Sequence, residues 1–308
     1  MRARILAWSF CSALVIATSA FAAKPMQTAI TFDDLPGYAP LSPGVSQTDV
    51  VKSVLETLKA HRAPPAYGFL NGVWLEKQPG AADLLQRWRA AGQPLGNHGF
   101  THMDANKNSA SAFEQDILAD EPSLQKYMGS SDWHWLRLPY LNQGDTPQKR
   151  KKIGDFVKTH GYRIAQVTLS FDDWAYSEPY ARCVANGDTN AVAWMKESFL
   201  ERAAMNVPAA QKMSRLLYGR NIKHVLLLHM GAFTALMLPQ LLDLYKRHGV
   251  KLISLHDAES DPAYKDGSNQ RFAWGGTMLA EQMVARNIQI PQVANRDGDT
   301  VRLTSLCK

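Results

Sequence analysis

The sequence predicts an α/β fold, an irregular (β/α)7 barrel-like single domain with a C-terminal extension. Three observations carry that prediction. Seven short apolar runs alternate with amphipathic stretches of helical period, the pattern of parallel strands joined by right-handed crossovers. Seven strands suit a closed, barrel-like sheet better than an open one covered on both faces. The chemically reactive residues follow the strand runs, at the rim where parallel barrels carry their sites.

The chain starts with a processing signal. Arg2 and Arg4 form a positive n-region, Ile5 to Ala17 is apolar but short for a bilayer span, and Ala20-Phe21-Ala22 has the small-x-small form of a cleavage site. The expected signal peptide is 1–22, with an uncleaved anchor helix as the alternative. The mature chain is then exported, periplasmic or secreted, with no stable membrane anchor. Removing Arg2 and Arg4 takes the formal charge from +6 to +4, too mild a bias to argue for nucleic acid. Cys183 and Cys307 remain, and they form either one disulfide or two free thiols. With 45% hydrophobic residues the remaining length fills one large core.

In chain order, strands are expected at 28–32, 66–70, 94–97, 135–138, 163–169, 224–228 and 251–255. Helices are expected at 47–60, 81–91, 111–128, 148–160, 190–218 (broken at Pro208) and 236–248. Val51, Val54, Leu55 and Leu58 show the 3.6-residue period in the first helix. The principal domain spans 23–258. The extension, 259–308, is read as packing on it: a loop to Gly276, a helix near 277–284 and a final strand.

The first strand ends in Asp33-Asp34, with Pro36 and Gly37 to turn the chain. Neighbours on a regular strand point to opposite faces, but a turn lets both acids serve one site, one as metal ligand and one as base. His98 and His102 follow the third strand at a spacing that points both imidazoles one way on a helical turn or tight loop. Two His and one Asp make a divalent-metal set with an open position for water, most often for zinc. Arg137 ends the fourth strand as a permanent cation suited to holding a carboxylate. Tyr140, after Pro139, offers a backbone amide suited to an oxyanion. Asp172, Asp173 and Trp174 follow the fifth strand, and Leu227 and His229 close the sixth, where His229 is a candidate general acid. The Lys149-Arg150-Lys151-Lys152 run reads as a solvated helix face.

These motifs, in this order, resemble the polysaccharide deacetylase family with the NodB homology domain, carbohydrate esterase family 4. The resemblance covers roughly 28–257. Its first motif matches Thr31-Phe32-Asp33-Asp34, implying a base at Asp33 and a metal ligand at Asp34. Its second resembles His98 to His102 but departs at Gly99, where the family has Ser or Thr. Its third matches Arg137 to Tyr140, its fourth resembles Asp173-Trp174, and its fifth Leu227-Leu228-His229. The resemblance implies a NodB-type barrel and one divalent metal on Asp34, His98 and His102, zinc first, with Co2+, Ni2+ or Mn2+ as alternatives. It further implies Arg137 holding Asp33, Asp173 orienting Arg137 or His229, His229 protonating the leaving amine, and Pro139, Trp174 and Leu227 on the substrate. The expected partner is an acetylated glycan and the expected reaction is removal of its N-acetyl groups. The rival readings are an O-acetyl esterase on xylan-type glycans, a small-amide hydrolase, and a non-catalytic glycan-binding envelope protein.

Overall fold

Seven parallel strands make one sheet: β1 (Met26–Leu35), β2 (Tyr67–Leu70), β3 (Leu95–Asn97), β4 (Trp135–Leu136), β5 (Arg163–Ile164), β6 (His224–His229) and β7 (Val250–Ile253). The computed structural model describes residues 25–38, 40–267, 275–291 and 296–308, so the expected signal peptide at 1–22 lies outside the described residues. The strand order is β5-β4-β3-β2-β1-β6, with β7 also on β1. β1 pairs with β6 from Thr28 to Asp33, while its other edge takes β7 at Met26–Ala29 and β2 at Thr31–Leu35. Past β5 the chain runs on to Leu169, which bridges Leu226 in parallel. The far edge of the sheet thereby returns to β6, and the sheet curls as the strand count implied.

Twelve helices accompany the sheet among the described residues: α1 (Gln47–Ala60), α2 (Val73–Lys77), α3 (Ala81–Ala90), α4 (Ala110–Met128), α5 (Pro147–Thr159), α6 (Ser177–Ala185), α7 (Thr189–Tyr218), α8 (Ala232–Arg247), α9 (Leu255–Glu259), α10 (Tyr264–Gly267), α11 (Met278–Ala285) and α12 (Arg296–Ser305). α1 shows why such segments fold where they do. Ser46 and Asp49 close a capping box, and Val50, Val51, Val54 and Leu58 bury one stripe. On the sheet side Phe32, Phe69, Leu226 and Leu228 are fully buried, so the strands read as apolar runs.

Two expectations are corrected. α7 runs unbroken for 30 residues through Pro208. Pro208 sits on the exposed face, while Phe199, Ala203, Val207 and Ala210 hold the buried face on both sides. The C-terminal residues form α12, not a strand. Their contacts recur at helical spacing: Asp299 accepts from Ser198, Arg302 lies over the Trp194 ring, and Leu303 is buried. Val301 is 69% exposed, so the alternation a strand needs is absent. Cys183 and Cys307 are joined as a disulfide that ties this end to α6.

Candidate metal centre and active site

The two adjacent acids reach one site through an irregularity in β1. The strand does not stop before them, as the Pro36-Gly37 signal suggested. It continues to Leu35, with a register shift between Phe32 and Leu35 and Asp34 in the left-handed region at φ 64°. A bulge of this kind re-aims a side chain, so Asp33 and Asp34 approach the same histidine. Oδ2 of Asp33 lies 3.6 Å and Oδ1 of Asp34 3.5 Å from Nε2 of His98.

His98 and His102 sit in a loop after β3, not on a helix. Five hydrogen bonds shape that loop. Asn97 accepts from the Gly99 amide, Asn71 donates to the carbonyls of His98 and Gly99, and Asp116 accepts from Thr101 through both its amide and its hydroxyl. Gly99 has φ +71°, and a Cβ there would meet Asp116 Oδ2 at 2.7 Å. The departure from Ser or Thr thus answers to backbone sign and space.

His98 Nδ1 donates to the Arg137 carbonyl at 2.7 Å, which leaves Nε2 as the lone-pair nitrogen facing Asp34. His102 Nε2 lies 3.5 Å from the same Asp34 oxygen. All three ligand atoms lie within 4.8 Å of one another. Tetrahedral N and O ligands around one zinc are spaced about 3.3–3.6 Å apart, and both His–Asp34 separations, 3.5 Å each, match that spacing. Burial pushes both imidazoles down to about 3, which keeps them neutral and ligand-ready. Burial, with Asp33 and Asp173 near it, lifts Asp34 to about 7, a carboxylate that a bound cation would favour in its charged form.

Arg137 at the end of β4 donates to Asp33 from Nη1 at 3.0 Å, to Thr31 Oγ1 from Nη2 and to the Ala165 carbonyl from Nε. Asp173 accepts from the His229 amide and its Nδ1 at 2.8 and 2.9 Å, and from Thr234 Oγ1 at 2.8 Å. The sequence left open whether Asp173 orients Arg137 or His229, and these contacts all lie on the His229 side. Burial pulls His229 down, but Asp173, Asp34 and Asp33 more than reverse it, to about 9. Tyr140 follows Pro139 with φ 58°, and its ring lies 4.5 Å from His102. Five of the eight described non-glycine residues with positive φ, namely Asp34, His102, Tyr140, Leu141 and Asp172, belong to these rim segments.

A model of the family described as polysaccharide deacetylase matches residues 22–165. The peptidoglycan-N-acetylmuramic acid deacetylase of Bacillus subtilis (strain 168) is 27% identical over 125 residues, 39% of this chain and 42% of that protein. The chitin deacetylase of Colletotrichum lindemuthianum shares the fold, with a TM-score of 0.53 at 19% identity over 77% of this chain and 89% of that one. Residues 22–165 of this chain match the polysaccharide deacetylase family. The chain spans less than half the length of the curated relatives it matches, 42% and 49%. A family member from Bacillus anthracis described as a pseudoenzyme has the same TM-score, 0.53, at 16% identity over 76% of this chain and 65% of that one. The fold alone therefore does not carry activity within the family, and the site residues must.

Beside Asp34 and His102, the chain opens a cleft of about 650 Å³, with Tyr38, Leu41, Trp74, Gln78 and Tyr140 along its wall. Trp174 (44% exposed) and the buried Leu227, both expected on the substrate, are not among its lining residues. Pro139 is buried under the Tyr140 turn. Sequence reading missed Tyr38, Asn71 and Trp74. They lie in segments after β1 and β2 that carry no motif, and only their place after strand ends could have marked them.

Proposed function

We propose that this chain is an exported, metal-dependent hydrolase that removes N-acetyl groups from an amino-sugar polysaccharide. The supporting observation is the joint placement of three units on one rim: the Asp34–His98–His102 set, the Asp33–Arg137 pair and the Asp173–His229 pair. The family match supports the deacetylase reading, and the leader-like residues 1–22 support export. Among the described residues no helix is long and apolar enough to cross a membrane. The domain is taken as 23–258, with 259–308 as an extension tied back through Cys307.

Asp34, His98 and His102 would hold the ion, zinc in the first instance. Once bound, it would polarise the acetyl carbonyl and lower the pKa of an attacking water. Asp33 takes the water's proton at its carboxylate, held in place by Arg137. The Tyr140 amide donates to the oxygen that gains charge. His229, cationic through Asp173, gives its Nε2 proton to the leaving amine.

The test is acetate release from N-acetylglucosamine oligomers by protein loaded with zinc, before and after chelation. Release that stops with the chelator and returns with zinc supports the reading. Full activity in metal-free protein overturns the metal role. Turnover of acetyl esters with none of the amide selects the esterase alternative.

A further inference from the structure

The chemistry of the cleft wall beside Asp34 and His102 bears on which acetylated sugars it takes. Its side chains are aromatic (Tyr38, Trp74, Tyr140), amide (Gln47, Asn71, Gln78) or apolar (Leu41), and the ionisable ones are Asp34 and His102 of the metal set, apart from the tyrosine hydroxyls. None is Lys or Arg. Of the carboxylates that act on the Tyr38 hydroxyl, Asp34 lines the cleft, while Asp173 pairs with His229 and Glu178 with Arg182 just outside it. Resting on the N-deacetylase reading above, we propose that this cleft takes a neutral N-acetylhexosamine chain and rejects sugars that carry a carboxylate, such as N-acetylmuramic acid with a free lactyl group.

The physical argument has two parts. A sugar carboxylate seated in this cleft loses water and meets no guanidinium or ammonium on the described wall to replace it. A neutral pyranose has what the wall offers: a flat C–H face for an aromatic ring and hydroxyls for an amide. Trp74, Tyr140 and Trp174 are the exposed large aromatics among the described residues, and all three stand on this rim, two of them in the cleft. Trp74 is placed by the first turn of α2, where its amide donates to the Asn71 carbonyl. Asn71 also holds the His98 loop, so the platform and the metal set share one support. Gln47 is committed to the Pro36 carbonyl, while the Gln78 amide is left to face a ligand.

Peptide-free glycan strands of alternating N-acetylglucosamine and N-acetylmuramic acid present both sugars in one molecule. They are treated with zinc-loaded protein, and mass spectrometry then assigns each new free amine to its sugar. The expected result is free amine on glucosamine in at least about tenfold excess over muramic acid, a difference of about 1.4 kcal/mol. Trp74→Ala should raise KM for N-acetylglucosamine oligomers by about five- to tenfold, with the smaller change in kcat. Gln78→Lys should raise the muramyl share by supplying the missing cation. Equal or greater release from muramic acid overturns the inference, as does Trp74→Ala with unchanged KM. Release from neither sugar overturns the N-deacetylase reading itself, which keeps the two failures apart.

Discussion

Arg137 Nη1 lies 3.0 Å from Asp33 Oδ1, a buried pair that joins β4 to β1 across 104 residues of sequence. The arginine is fully buried and the aspartate 2% exposed. The guanidinium also lies over the Phe69 ring, 4.7 Å from its centroid. Burial raises the Asp33 carboxyl, and Arg137 is the strongest influence lowering it. The pair therefore holds the proposed base near the proposed metal set and favours its charged form.

Removing the cation should cost both stability and ionisation. Arg137→Ala leaves a buried carboxylate uncompensated, and such losses amount to about 3–5 kcal/mol. Denaturant unfolding reads the stability. With the cation gone the Asp33 carboxyl rises further, so the acid limb of activity should move to higher pH. Arg137→Lys should recover only part, because an ammonium lacks the fork that also reaches Thr31 and Ala165. An unchanged unfolding curve and acid limb in Arg137→Ala would refute the role.

The alkaline limb belongs to His229. Its imidazole, raised to about 9, keeps the proton it must donate at neutral pH and loses it as pH climbs through that value. A cation on Asp34 offsets that carboxylate's share of the rise but leaves Asp173's contact at 2.9 Å. Activity should accordingly fall between about 6.5 and 9, and Asp173→Asn should move the fall toward 6.5. The same pair adds stability that is complete below about 6.5 and disappears as pH rises through about 9. A pH–kcat/KM profile that is identical in parent and Asp173→Asn would sink this assignment.

The disulfide should matter to stability more than to chemistry. It closes a loop of 124 residues, and disulfides typically contribute about 2–4 kcal/mol. Reduction, or Cys307→Ser, should lower the unfolding midpoint accordingly. Mass measurement without reductant should find the bond in purified protein. Two free thiols there would remove it from consideration.

The legible parts of this molecule are those with a period or a motif. The seven strands read correctly because both faces of the sheet are buried, so runs such as Val225 to Leu228 stay apolar without interruption. Asp33, Asp34, His98, His102, Arg137 and His229 were visible because reactive residue types follow strand ends. The path of α7 through Pro208 was hidden, since exposure of that residue is decided by tertiary packing. So was the bulge at Asp34, because nothing local marks an aspartate that will take φ 64°. The cleft residues Tyr38 and Trp74 come from two separate loops, and no spacing in the chain brings them together.

Asp33 and Asp34 are neighbours with different proposed work, and conservative variants separate them. Asp33→Asn keeps shape but cannot accept a proton, and Arg137 loses its charged partner. Metal content should stay near one ion per chain, because Asp34, His98 and His102 are untouched. Activity should drop about 10²–10⁴-fold, mostly in kcat, since proton transfer acts in the transition state. Asp34→Asn should instead weaken metal binding, and added zinc should restore part of the activity. Metal analysis and kinetics on both variants read these outcomes together. If Asp33→Asn loses the ion while Asp34→Asn retains it, the two roles are exchanged. If both variants turn over at the parent rate, neither acid takes part in the reaction.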